Sequence, residues 1–190
     1  MFAGTRTKRR APARKLARTV APTGVERSLG PDDIIVTKTD VTGRITYANQ
    51  TFLRIAALTE DQAIGAPHSL IRHPDMPRCV FALLWQTIEA GDEIFAYVNN
   101  LAADGANYWV FAHVTPTFGP DGTIVGYHSN RRRPRPEAVA AIAPLYGRLL
   151  AIERAIPDRK SQVEASTAEL ARLLGDAGKS YDEFIFSLAD

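Results

Sequence analysis

Two Asp-Gly dipeptides, Asp104-Gly105 and Asp121-Gly122, divide the stretch from Ile94 to Arg131 into three runs rich in β-branched and aromatic residues. Asp-Gly favours the backbone of tight hairpin turns, so Ile94 to Leu101, Tyr108 to Pro116 and Thr123 to Arg131 are expected to pair as an antiparallel meander. Upstream, Ile34, Ile35 and Val36 lead through a polar turn ending at Gly43 to Ile45 and Tyr47, which reads as a further hairpin. Between the two groups of strands the apolar period becomes helical. Asn49 stands as N-cap before Phe52, Leu53, Ile55, Ala56 and Leu58. Glu60 to Ile64 forms a second short helix stopped by Gly65 and Pro67, and Met76 to Ala90 a longer one with Pro77 in its first turn and Gly91 after its end. Two strands, a few helices and three strands make an α+β domain over residues 31–133, a five-stranded antiparallel sheet with short helices on one face.

Beyond Pro134 and Pro136 the spacing predicts helices over Glu137 to Ile156, Ser161 to Leu174 and Tyr181 to Leu188. This C-terminal helical segment, residues 134–190, needs a surface to pack on: the outer sheet face, a second copy of the chain in a homodimer, or another protein. The arginines between sheet and helices, Arg131, Arg132, Arg133 and Arg135, abut two prolines and read as a stiff exposed linker rather than a polyanion site.

A chain of 190 residues with 45% hydrophobic residues holds one buried core and a flanking segment. Its single cysteine, Cys79, excludes an intramolecular disulfide and any CxxC metal site, and points to a reducing cytoplasm. The apolar runs are too short to cross a bilayer. The net charge of +2 is uneven, because seven basic residues and no acidic one fall within the first 20 positions, leaving 16 basic and 21 acidic residues in the remainder. Residues 1–30 read as a basic arm without structure, and no specific nucleic-acid surface is expected in the body. With no GxSxG, HExxH, P-loop or GxGxxG motif, the chain is read as a sensor or binder and not as an enzyme.

The run from Asp40 through Gly43, Ile45 and Asn49 to Phe52, with Gly65, Asp104-Gly105 before Tyr108-Trp109-Val110, and Asp121-Gly122 before Gly126-Tyr127, resembles a PAS domain in order and spacing over Asp32 to Arg131. A narrower segment, Ile71-Arg72-His73-Pro74-Asp75-Met76-Pro77 followed by Phe81 and Trp85, is similar to the PAS domain of bacterial aerotaxis receptors and related chemoreceptors. That resemblance implies a PAS fold, non-covalently bound FAD, and a redox- or oxygen-dependent signal of the chemotaxis or energy-taxis kind, passed to a signalling partner through the C-terminal helices. Carried over position by position, it implies cofactor contacts from Asn49, Arg72, His73, Asp75, Trp85 and Asn100.

The chemistry of those residues suits a flavin, since Arg72 and His73 offer positive charge for phosphate, Asp75 can fix either or reach a ribose, and Trp85 offers an aromatic wall. The same residues also suit plain structural duty: Asp75-Met76-Pro77 has the form of a helix start, Trp85 that of a core residue, and Asn49 that of a cap. The chain departs from the receptors at Ile94 and Phe95, where they carry tryptophan, and at Leu101, Ala102 and Ala103, where they carry a basic cluster. FMN, haem held by one of His68, His73, His113 or His128, and a cofactor-free interaction module therefore stand beside FAD as alternatives.

Overall fold

A computed structural model describes residues 20–188, and the basic run before Val20 lies outside them. Strands β1 (Ile35–Thr39) and β2 (Ile45–Ala48) are followed by helices α1 (Gln50–Ile55) and α2 (Glu60–Ala63), a 3-10 turn at His68–Ile71, and helix α3 (Arg78–Glu89). Strands β3 (Ile94–Leu101), β4 (Asn107–Phe118) and β5 (Ile124–Arg132) complete an antiparallel sheet in the order β2-β1-β5-β4-β3. The expected α+β architecture is present, and Gly43, Gly105 and Gly122 take the positive φ values of 77°, 87° and 79° that their turns require.

Local chemistry explains the boundaries. Asn49 Oδ1 accepts from the Phe52 amide at 2.9 Å as N-cap of α1, and from the Val36 amide at 3.1 Å across the hairpin. Helix α3 starts two residues later than its apolar period suggests, because the Met76 amide donates to the His73 carbonyl in a turn and Pro77 becomes the N-cap residue. Proline has no side-chain acceptor for the helix's first free amides, so they need one from elsewhere.

The segment before β1 is only partly the unstructured arm expected. From Thr23 on it lies along the β3–β4 hairpin, with the Thr23 amide donating to Gly105 at 2.9 Å and that of Arg27 to Asn107 at 2.7 Å. The Arg27 guanidinium bridges the Ile55 carbonyl and Asp104. These pairings satisfy backbone groups that an exposed arm would leave to water.

Helices α4 (Pro136–Arg154), α5 (Arg159–Asp176) and α6 (Tyr181–Ser187) form the C-terminal segment. Pro144 lies inside α4 without ending it. The α4 face Ala138, Ile142, Tyr146, Leu149 and Leu150 is buried; Tyr146 donates to the Tyr97 carbonyl at 2.8 Å and stacks on Trp109 at 6.2 Å. Phe186 of α6 packs on Phe95 and Phe111 of the same sheet face. Meanwhile α5 packs on α3, so the segment wraps the β3 edge and touches both layers. Of the surfaces expected for these helices, the structure shows the outer sheet face in use.

Candidate functional site

Strand alternation places Thr37 and Thr39 of β1, Val98 and Asn100 of β3, Ala112 and Val114 of β4, and Tyr127, Ser129 and Arg131 of β5 on the inner sheet face. Facing them, α3 presents Arg78, Phe81, Leu84, Trp85 and Ile88. A cavity of about 470 Å³ lies between, within the span of roughly 300–1,000 Å³ usual for small-molecule sites. Its walls are mostly apolar, and its charged side chains are of one sign. Arg72, Arg78, Arg131 and Arg159 line it and no carboxylate does.

Arg131 is the most constrained of these. Only 3% exposed, it donates from Nε to Ser129 at 3.0 Å and from one terminal nitrogen to both Thr37 Oγ1 and His68 Nε2, the latter at 2.8 Å. Its other terminal nitrogen is buried without a hydrogen-bond partner. Burial brings its pKa down to about 10, so it stays a cation at neutral pH. His68 answers as a neutral acceptor, its pKa pushed to about 3 by burial and then by the Arg131 charge. A buried guanidinium facing a cavity with no carboxylate is costly unless something completes it. Asn100, 4% exposed and also on the cavity wall, has a side-chain amide nitrogen that is a second buried donor without a partner.

Of the six residues singled out from the sequence, Arg72, Trp85 and Asn100 line this cavity. The Arg72 guanidinium stacks over Phe81 at 4.1 Å, and Trp85 meets Tyr127 edge-on at 5.4 Å. The other three lie outside it. The Asn49 amide is spent on Phe52, Val36 and the Ile34 carbonyl. His73 is buried, its Nδ1 accepts from the Asp75 amide at 3.1 Å, and burial lowers its pKa, so it supplies no positive charge at neutral pH. Asp75 is paired with Arg154 of α4 at 2.8 Å. The sequence reading has His68 only as one of four candidate haem ligands and misses Arg131. Arg131, expected among the exposed arginines of the linker, instead occupies the last inward position of β5, where the alternation Tyr127, Ser129, Arg131 puts it.

A second cavity, of about 420 Å³, adjoins the first. Ser69, Arg72 and Arg78 line both, and its far wall comes from Leu150, Glu153 and Arg154 of α4 and Gln162 of α5. Glu153 is 2% exposed, and its Oε1 accepts from the Arg78 amide at 2.7 Å, the Cys79 amide at 3.1 Å and the Ser166 hydroxyl at 2.9 Å. The carboxylate of α4 is thus the cap that Pro77 cannot provide for α3.

Residues 45–131 match the model of a family described as the PAS fold. The aerotaxis receptor of Escherichia coli (strain K12) is 39% identical over 118 residues, which cover 62% of this chain and 23% of the receptor. A nitrogen fixation regulatory protein of Klebsiella pneumoniae is 28% identical over 99 residues, 52% of this chain and 20% of that protein. The chain therefore spans less than a quarter of the length of these curated relatives. Among solved structures, the dark state of the blue-light photoreceptor Aureochrome1 LOV has a TM-score of 0.50 at 24% identity over 63% of this chain and 86% of that one. An RNA-binding Light-Oxygen-Voltage receptor has a TM-score of 0.51 at 18% identity over 64% of this chain and 35% of that one. At these identities the structural likeness concerns the fold.

Proposed function

We propose that this chain, whose residues 45–131 form a PAS domain, is a cytoplasmic flavin-holding sensor that passes redox or oxygen state to a signalling protein through its C-terminal helices. The observation that carries the reading is the pair of buried, unpartnered donors on the cavity wall, Arg131 and Asn100. A planar heterocycle edged with carbonyl and ring-nitrogen acceptors would satisfy both, and Val98, Ala112, Leu84 and Ile88 give its faces apolar contact. Similarity to the aerotaxis receptor supports the same reading. Of the two histidines on the cavity wall, His68 and His128, the first already receives the Arg131 N–H on Nε2, which disfavours it as a haem ligand.

When bound, a flavin supplies a centre that can accept and return electrons. The chain's own groups do the rest. Arg131 and Asn100 orient the acceptor edge, while Trp85 and Tyr127 close the side of the cavity next to Gly43 and exclude water. Arg131 responds to charge at that edge, and through Thr37 and His68 it ties β5 to β1 and to the 3-10 turn. Helix α3 forms the opposite wall, and Glu153 joins its N-terminus to α4. Two docked positions of α4 and α5, biased by the state of the cavity, would make the output.

Fluorescence titration of the ligand-free full chain with FMN tests this. Saturable quenching that Arg131→Met and Asn100→Leu each weaken is expected. Absence of binding, or binding indifferent to both substitutions, contradicts it.

A further inference from the structure

Tyr108 of β4 is fully buried, and its hydroxyl has no hydrogen-bond partner. It stands directly opposite Asn100 in the β3–β4 pairing, so the two side chains leave the same sheet face with about 4.5–5.5 Å between their Cβ atoms. Arg131 is within electrostatic reach of it: burial pushes the Tyr108 pKa up, and the charges of Arg131 and then Arg27 oppose the rise. The phenol stays protonated at neutral pH. Arg27 is not its partner, because that guanidinium is spent on the Ile55 carbonyl and on Asp104. Among the described residues, three of the four buried side-chain atoms without a partner are thus gathered on the inner face: Arg131 Nη1, Asn100 Nδ2 and the Tyr108 oxygen. Asn100 and Arg131 line the cavity and Tyr108 does not, which puts the hydroxyl behind the wall that the two donors form.

Each of the two unpartnered nitrogens carries two N–H bonds. An acceptor in the cavity can take one from each, which leaves a second N–H on each directed into the protein. Neither a guanidinium nor an amide nitrogen can accept, so the two donors cannot serve each other. A phenol oxygen can. We propose that Tyr108 is a positioning residue for the ligand: its oxygen accepts the rear N–H of Asn100 Nδ2 across the strand pair and the rear N–H of Arg131 Nη1, and so turns the front N–H of each toward the cavity. The inference rests on the flavin reading and adds to the site a residue that never touches the ligand. Both contacts are open in the structure, and an acceptor on the front N–H fixes the orientation that closes them. Ligand and hydroxyl then support each other through the shared donors, and the alignment of the ligand edge depends on β3, β4 and β5 together. A tyrosine that only filled space would be replaced by phenylalanine without consequence for binding, since the ring is the same.

The test titrates FMN into the full chain, its Tyr108→Phe and Asn100→Leu variants and the double variant, and unfolds each in urea without ligand. Tyr108→Phe is expected to keep the urea midpoint at or above that of the parent, because a buried hydroxyl without a partner is removed. It should weaken FMN about fivefold, the span of one net hydrogen bond. In the Asn100→Leu background the same change should cost a smaller factor, about twofold, which is the coupling that a shared donor produces. The blue absorption band of the bound flavin should also move in Tyr108→Phe, as the hydrogen bonds at its edge loosen. FMN affinity equal to the parent's, or a loss of the same factor with and without Asn100, overturns the proposal and leaves the flavin reading standing. Should Tyr108→Phe fail to fold, nuclear magnetic resonance of the Asn100 side-chain amide in the unmodified chain decides: both protons shift downfield on adding FMN if the nitrogen is held front and rear, and a shift of one alone overturns the proposal. Failure of the unmodified chain to bind FMN overturns the proposal and the flavin reading together.

Discussion

The Glu153 carboxylate reaches across from α4 to accept the backbone amide of Arg78 at 2.7 Å, so the helix that walls the cavity is capped by a residue from beyond the sheet domain. The cap is needed because Pro77 occupies the N-cap position of α3, and its geometry makes the start of that helix depend on where α4 sits. Position of the C-terminal segment and order at the cavity are thereby linked.

Glu153→Ala leaves the Arg78 and Cys79 amides and the Ser166 hydroxyl without their shared acceptor in a buried place. A loss of about 2–3 kcal/mol in urea unfolding is expected. Hydrogen exchange should speed at residues 78–80 before it does so elsewhere in α3. Unchanged exchange there would show that the cap does not govern the helix start.

Arg131→Met acts in opposite directions on stability and on binding. Removing a buried cation that has no carboxylate partner should leave the ligand-free protein within about 1 kcal/mol of the parent, or make it more stable. FMN affinity should fall about tenfold or more, as a charge-assisted contact is lost. Thermal unfolding with and without FMN separates the two effects.

The contrast between Arg131 and its neighbours shows where sequence reasoning stops. Strand order, the glycine turns and the Asn49 cap were legible because each is set within a few residues, and the apolar period located all the longer helices. Arg131 and Arg132 are chemically alike and adjacent, and only strand phase decides that the first points inward at 3% exposure. His68 was hidden by Gly65 and Pro67, which mark a stop but do not announce the 3-10 turn after it. Glu153 looks like any charged residue of an amphipathic helix until α4 is seen to cross the start of α3. His73 and Asp75, read as charge for a ligand, are engaged instead, the His73 ring with the Asp75 amide and the Asp75 carboxylate with Arg154. Such roles depend on contacts more than 70 residues apart, as in Arg154 with Asp75 and Glu153 with Arg78.

Acid should destabilise the fold through His68. In the unfolded chain this ring takes a proton near its ordinary pKa of 6.5, whereas in the fold burial and the Arg131 charge hold it near 3. The unfolded state carries the extra proton between those values, so stability is full above pH 6.5 and falls as pH drops through that window, by about 1.4 kcal/mol per pH unit. His68→Gln retains an acceptor for Arg131 and should flatten this slope in urea unfolding between pH 7 and 4. Part of the slope will remain, since burial also lowers the pKa of His73 and of His128. A slope identical to that of the parent would place the acid sensitivity elsewhere.

Gly43→Ala should loosen the cavity wall. Its backbone has φ +77°, and an added Cβ would stand 3.0 Å from the Trp85 ring. A cost of about 1–2 kcal/mol is expected from strain and crowding together. Tryptophan fluorescence should show Trp85 displaced, and the emission should stay put if the ring has room to accommodate the methyl group.

The central claim, that the cavity between sheet and α3 holds a flavin, is tested most directly by the absorption spectrum of the full chain freshly purified under native conditions. The account predicts yellow protein with the paired near-ultraviolet and blue bands of an oxidised flavin, released on denaturation and regained on adding FAD. Colourless protein that takes up neither FAD nor FMN would contradict it.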